Sequence, residues 1–378
     1  MKNKSAIKKI GILTLPLNLN YGGIIQAYAL LTYISSLGHN VEFINLKIRP
    51  SFSFPYKLRN FLYKVYFNKF YIDRIKTTVE LPIQKFKDEN INPKTSVISS
   101  IEKLNNINQY NYSAFIVGSD QVWRFEYSKN FKKTFFLDFI KNKKIKKIAY
   151  AASFGNNEWV NHNYTVEIKN LLNKFNKISV REDSAVKICK DIFSVYSELN
   201  LDPALLLKKE DYINIINKTQ PSLKFGNIYT YILDDTQCKN EIIHLAEQNL
   251  GLKSFSVNFG NKYKTLPKNE MIKYQHSSVE DWIKGFYQCD FVITDSYHGT
   301  IFSILFNKPF IAIGNSNRGL TRFTSLLKLF NLENRFVSTT NQLDEKLLKS
   351  NIDFTSVNKI LEDQRLKSFN FIKEALNE

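Results

Sequence analysis

Apolar residues in this chain fall into short, nearly unbroken runs, separated by stretches where they recur every third or fourth position. Lys9 to Leu15, Val41 to Ile44, Ser113 to Val117, Lys147 to Ala152 and Lys177 to Val180 read as strands buried on both faces. Between them lie helical patterns: Ile25, Ala29, Leu30, Tyr33 and Leu37 on one face with Gly38 as C-cap, then 164–175, then a helix opened by Asp183 or Ser184. Leu201-Asp202-Pro203-Ala204-Leu205 and the polar stretch from Lys208 to Pro221 interrupt this alternation. It restarts with a strand over Asn227 to Leu233, a helix over Asn240 to Leu250 and a strand over Ser254 to Val257. Ser278, with Asp281 three residues later, has the spacing of a capping box and opens a helix that turns Val279, Trp282, Ile283 and Phe286 inward. Phe291 to Ile293, a polar loop, a helix through Ile301, Ile304 and Leu305, and Phe310 to Ile313 then complete one parallel strand–helix–strand unit.

Strands alternating with helices predict an α/β fold with parallel sheets. The pattern gives two Rossmann-like, doubly wound domains in a GT-B-like arrangement. The expected divisions are 1–200, 201–350 and a C-terminal helix within 351–378 that returns to the first domain. In such sheets ligands bind beyond the carboxyl ends of the strands, so the loops there are the first place to look for chemistry.

The 378 residues suffice for two ordinary cores. A net charge of +18 points to an anionic partner: nucleic acid, a membrane surface or a small anionic substrate. No nucleic-acid motif is present. Cys189, Cys238 and Cys289 show neither disulfide nor zinc spacing. No His, Asp, Glu or Cys group has metal-ligand spacing, so no metal and no resident cofactor are expected. No apolar run approaches the length of a membrane span, and the N-terminal apolar run is too short for a signal segment. The expected location is cytoplasmic. Residues 52–76 interleave a helical apolar stripe with Lys, Arg and Tyr, as an ordinary surface helix or one lying peripherally on a membrane does.

The strand-end loops carry the candidate residues. Asn18 to Gly23 follow the first strand without the G-x-G-x-x-G of dinucleotide sites. Gly118-Ser119-Asp120-Gln121-Val122-Trp123 follows another strand. There Asp120 and Gln121 suit sugar hydroxyls, and Trp123 is either a sugar platform or a core anchor. Arg181 ends a strand, as an anion clamp or as half of an ion pair with Glu182 or Asp183. Asp295-Ser296-Tyr297-His298-Gly299-Thr300 sets an imidazole beside a helix N-terminus suited to an anion. Asp295 either orients His298 or bonds the loop backbone.

Gly22-Gly23, the GSDQVW stretch from Gly118, Val180-Arg181-Glu182-Asp183, Leu201-Asp202-Pro203 and Thr294-Asp295-Ser296-Tyr297-His298-Gly299 occur in this order. Together they resemble the polysaccharide pyruvyl transferase family, from about Lys9 to about Asn334. The resemblance implies transfer of pyruvate from phosphoenolpyruvate to a sugar, giving a cyclic ketal, with phosphoenolpyruvate as co-substrate. It places the acid on His298 and a donor ligand on Arg181. Ser296 stands where the eukaryotic branch resembles T-D-R-L-H-G with a donor-gripping arginine, so Arg318 or Arg322 is expected to replace that cation. Ser296, Gly299 and Thr300 complete the expected donor side. Asn20, Tyr21, Gly22, Gly23, Gln26, Gln121 and Trp123 form the expected acceptor side, with Asp120 as base or hydroxyl ligand. The expected acceptor is a sugar of a cell-surface polysaccharide or its lipid-linked precursor. Two rivals remain: a GT-B glycosyltransferase using a nucleotide sugar, and a non-enzymatic binder of anionic glycans.

Overall fold

The computed structural model describes residues 7–47, 69–107, 111–128, 131–217, 227–257, 259–260, 266–271, 273–315 and 318–377. Two wholly parallel sheets organise the chain. The first runs β2-β1-β3-β4-β5-β6, made of β1 (Lys9–Leu13), β2 (Asn40–Phe43), β3 (Ala114–Val117), β4 (Lys146–Ala152), β5 (Lys177–Val180) and β6 (Glu198–Leu199). The second runs β11-β10-β9-β7-β8, made of β7 (Ile228–Tyr231), β8 (Ser254–Phe255), β9 (Phe291–Thr294), β10 (Phe310–Ile313) and β11 (Phe336–Val337). Every residue of β3, β7, β9 and β10 is buried, as the unbroken apolar runs require.

The strand order reverses direction between β1 and β3 in one sheet and between β7 and β9 in the other. A crevice opens at such a reversal, beyond the carboxyl ends of the strands. The loops that follow these four strands therefore meet between the lobes.

Helices position those loops. The helix α1 (Tyr21–Ser36) begins directly after Asn20, earlier than the sequence pattern suggested. Gly22 and Gly23 therefore lie in its first turn and not in a loop. The long helix α2 (Lys69–Asn90) follows β2 in the chain. Residues 48–68, and the side chains of 69–77, lie outside the described residues, so the membrane contact expected of 52–76 falls there. The short helix α3 (Asp183–Lys187) follows β5, and α4 (Gln237–Leu250) follows β7. Ser278 caps α5 (Val279–Gln288), its Oγ accepting the Asp281 N–H at 3.0 Å. The helix α6 (Tyr297–Leu305) begins with the histidine loop, and α7 (Thr321–Leu329) follows β10.

The lobes are not joined by a bare linker. One apolar cluster runs from Ile10, Ile24 and Tyr150 of the first sheet's layer to Tyr231, Trp282 and Phe302 of the second. Tyr21 stacks on Trp282 with centroids 5.6 Å apart and donates its hydroxyl to the Ser277 carbonyl at 2.6 Å. The final helix α8 (Phe354–Asn377) packs on the first sheet through Phe371 and Tyr150. Its Arg365 donates to the Leu205 and Leu207 carbonyls, and Lys8 reaches the Leu376 carbonyl. Among the described residues no helix is long and apolar enough to cross a membrane.

Candidate functional site

A cavity of about 400 Å³ lies where the two reversal points face each other. The first lobe contributes Leu15 to Asn18, Asn20, Gly23 and Gln26 around the end of β1, and Asp120, Gln121, Glu126 and Tyr127 beyond β3. The second lobe contributes Leu233 beyond β7, Asp295 to His298 beyond β9, and Arg318 and Arg322 beyond β10.

His298 sits in the first turn of α6. Ser296 is the N-cap residue, its Oγ accepting the Gly299 N–H at 3.3 Å. The imidazole occupies the space where a Cβ on Gly22 would stand. Its Nε2 lies 3.7 Å from Asp202 Oδ2 and has no hydrogen-bond partner among the described residues. The carboxylate facing the histidine is therefore Asp202, not Asp295. Asp295 accepts the Leu233 N–H at 2.6 Å, the Asp234 N–H at 3.2 Å, Lys239 Nζ at 2.7 Å and Asn315 Nδ2 at 2.9 Å. It ties the β7 and β10 loops to the β9 loop.

Arg181 is wholly buried, and three carboxylates surround it. One terminal nitrogen donates to Asp202 Oδ2 at 2.8 Å, the other to Asp120 Oδ1 at 3.1 Å, and Nε lies 3.9 Å from Glu182 Oε2. Its guanidinium also stands 4.7 Å from the Tyr297 ring centroid. Burial alone would raise the Asp202 carboxyl, but His298 and Arg181 hold it far below the usual carboxylate range. Burial likewise opposes ionisation of Asp120, yet Arg181, His298 and Arg322 keep it depressed. Glu182 behaves oppositely: burial raises it despite Arg181 and bonds from Ser153 Oγ and the Phe154 N–H. Two ionised aspartates thus flank a guanidinium, and one of them also faces the imidazole.

The geometry corrects several expectations. Arg181 is not on the cavity wall; it holds Asp120 and Asp202 in place from behind. The Gly299 and Thr300 N–H groups are taken up by Ser296 Oγ and the Ser296 carbonyl, so they offer no open anion cradle. Thr300 Oγ1 also bonds the Ser296 carbonyl, and a Cβ on Gly299 would overlap Thr294. Trp123 is a core residue: it stacks on Phe136 at 5.3 Å and donates Nε1 to the Phe135 carbonyl at 2.9 Å. Tyr21 is spent on the interlobe contact, and Gly22 makes room for His298. Asn20, Gly23, Gln26, Asp120, Gln121, Ser296, His298, Arg318 and Arg322 do line one cavity.

The two candidate replacement cations differ. Arg318 is clamped in bidentate fashion by Asp234 at 2.7 and 2.8 Å, and this pairing depresses Asp234 to about 2. Arg322 reaches only the Arg318 carbonyl, and its Nε has no partner among the described residues. It stands 5.2 Å from the Tyr297 ring. Burial, and then the nearby Arg181, push it down to about 10.

Sequence reading missed Asp202 as a site residue, whereas it named Glu182 as a possible ion-pair partner of Arg181. Asp202 was legible only as a turn before Pro203, and its carboxylate does cap that turn through the Ala204 N–H at 3.0 Å. Among the described residues no group of three His, Cys, Asp or Glu side chains suited to a metal ion occurs.

A model of the polysaccharide pyruvyl transferase family matches residues 20–317, which contain Asp120, Arg181, Asp202 and His298. The chain belongs to the polysaccharide pyruvyl transferase family. As a family member it is a transferase of polysaccharide synthesis. No curated protein matches the sequence. Among solved structures it is similar to a UDP-N-acetylglucosamine 2-epimerase from Rickettsia bellii, at 10% identity and TM-score 0.50 over 98% of each chain. A UDP-glucose complex of UGT71G1 from Medicago truncatula aligns at 9% identity and TM-score 0.49 over 98% of each chain. At such identity the epimerase likeness shows the fold alone, two Rossmann-like domains facing across a cleft.

Proposed function

We propose that this family member transfers pyruvate from phosphoenolpyruvate to two hydroxyls of one sugar, forming a cyclic ketal. The observation that carries this reading is His298: an imidazole whose Nε2 has no hydrogen-bond partner among the described residues and lies 3.7 Å from an ionised aspartate, on the wall of a cavity also lined by Arg322, whose Nε likewise has none among them.

The donor carries a carboxylate and a phosphate, both matched by guanidinium donors. Arg322 takes the place of the cation missing at Ser296. Arg318, already clamped by Asp234, contributes field more than contact. The ionised Asp202 faces His298 Nε2 at 3.7 Å. His298 then gives its proton to the donor methylene, and positive charge develops on the carbon bearing the phosphate. A sugar hydroxyl attacks that carbon and passes its proton back to His298. The carbon–oxygen bond to phosphate breaks, and the second hydroxyl closes the ring. Of the two hydroxyl protons, one is thus replaced on the imidazole and the other leaves with phosphate. Asp120, held ionised, is a weak base and serves as hydroxyl ligand on the acceptor side, beside Gln26 and Gln121. Gln26 Oε1 supports that placing, because it has no partner among the described residues.

The acceptor is proposed to be a hexose of a lipid-linked polysaccharide precursor, reached at the cytoplasmic face of the membrane. The test is incubation of purified protein with phosphoenolpyruvate and a hexoside panel. Inorganic phosphate and a product heavier than the sugar by pyruvate less water are expected. Release of a nucleoside diphosphate from a nucleotide sugar, without turnover of phosphoenolpyruvate, would replace this reading with the glycosyltransferase one.

A further inference from the structure

The cavity is polarised from end to end. At one end His298, Arg322 and Asp120 are nearly sealed from solvent. At the other, Tyr127 is 37% exposed, and the Glu126 and Arg318 side chains are 52% and 40% exposed. The sealed end holds the reacting groups, so the open end must hold whatever part of a large substrate extends outward.

The open end is built around an aromatic ring. Arg124 stands 4.9 Å from the Tyr127 ring centroid. It is itself held by Gln121 Oε1, which accepts from it at 2.9 Å, and by Glu126 at 3.5 Å. The Gln121 amide in turn occupies the space where a Cβ on Gly155 would stand. Tyr127 thus has a braced ring, and it lines the same cavity as Arg318 of the other lobe. Among the described residues two charged pairs stand beside it, Arg124 with Glu126 and Arg318 with Asp234. Two such pairs and an exposed ring suit a ligand that is uncharged, has an apolar face and carries hydroxyls. A pyranose has that surface: axial C–H groups pack on an aromatic face while carboxylate oxygens accept from its hydroxyls.

We propose that Tyr127 is the platform for a hexopyranose ring of the acceptor glycan that extends outward from the reacting ring, with Glu126 accepting from one of its hydroxyls. This rests on the sugar-acceptor reading above and moves the platform from Trp123, which is buried in the core. Tyr127 is then a specificity-determining residue: it selects for the sugar face that bears axial C–H groups.

The test reads binding and not turnover. Saturation-transfer NMR is recorded with methyl β-glucopyranoside, methyl β-galactopyranoside and methyl α-mannopyranoside on wild type, Tyr127→Ala and Tyr127→Phe. At least one glycoside is expected to show enhanced ring C–H signals on wild type and Tyr127→Phe. Those signals should fall about five- to tenfold on Tyr127→Ala. Phosphoenolpyruvate, followed by ³¹P line broadening, should bind Tyr127→Ala as it binds wild type, which shows that the fold and the sealed end persist. Equal glycoside signals on wild type and Tyr127→Ala would overturn the proposal. So would loss on Tyr127→Phe, binding of none of the three glycosides, or displacement of a bound glycoside by UDP stacking on the same ring. Failure of ketal formation with glycoside binding intact would instead remove the proposed reaction and leave the platform standing.

Discussion

The imidazole of His298 lies where residue 22 would carry a side chain. Gly22 and His298 come from opposite lobes, and the first turn of α1 approaches the first turn of α6 closely only because position 22 has no Cβ. Glycine inside a helix ordinarily costs about 0.5–1 kcal/mol relative to alanine. Here the direction reverses. Gly22→Ala is expected to lower the thermal midpoint and to cut turnover about 100-fold by displacing the imidazole. Differential scanning fluorimetry and a phosphate-release assay read both. A rise in midpoint with unchanged turnover would show that the contact is slack.

Replacing His298 by Ala or Gln is expected to reduce kcat by about 10²–10⁴-fold, the usual contribution of a positioned acid. Phosphoenolpyruvate should still bind, because the guanidiniums are untouched. Comparing single-turnover rates with donor affinity separates the two effects.

Arg322 and Arg318 should behave differently. Arg322→Ala removes an incompletely compensated cation from the cavity wall, and the donor KM is expected to rise about 10–100-fold. Arg318→Ala frees Asp234 and loosens the loop, so a change of less than about fivefold is expected. Steady-state kinetics in phosphoenolpyruvate decide between them. The reverse order would assign donor binding to Arg318.

Acid should strip stability through the aspartates around Arg181. Asp202 and Asp120 are depressed in the folded state. Their stabilisation is therefore complete above the unfolded value near about 4 and is lost as pH falls below it toward their folded values. Glu182 is raised, so its protonation at mildly acidic pH relieves a cost and opposes the loss. Urea unfolding between pH 7 and pH 3 is expected to show a nearly level stretch, then a steep decline below about pH 4. Asp202→Asn should be less stable at pH 7 and should show a shallower decline. An unchanged slope would mean that Asp202 is not part of the linkage.

Trp123→Ala is expected to destabilise the protein by about 3–5 kcal/mol, as truncation of a buried aromatic does. In the fraction that remains folded, acceptor KM should change little. That outcome separates a core anchor from a sugar contact.

Much of this arrangement was legible from residue pattern. Runs such as Phe291 to Ile293 are apolar on both faces, and a strand inside a covered parallel sheet needs that. The capping box at Ser278 and Asp281 likewise marks its helix from local chemistry alone. Partners from the other lobe left weaker traces. Gly22 and Gly23 looked like a loop because the reason for a glycine there, His298, belongs to the other half of the chain. Asp202 looked like a turn residue because one of its oxygens does cap a turn, while the other serves Arg181 and faces His298. Arg181 and Trp123 were placed correctly at strand ends. Which way each side chain turned depended on Asp202 and Phe136, and spacing along the sequence does not encode that.

The contact of Tyr21 with Trp282 and Ser277 bears on how the enzyme handles its substrates. Lobes joined by a common apolar interior cannot swing apart like the leaves of a book, since opening would wet an aromatic stack and strip a phenol of its acceptor. On the proposed reaction, a bulky acceptor would therefore enter a slot that is already formed. By the same reasoning neither half is a portable module: grafted onto another partner or expressed by itself, each would present a raw hydrophobic face where its mate belongs.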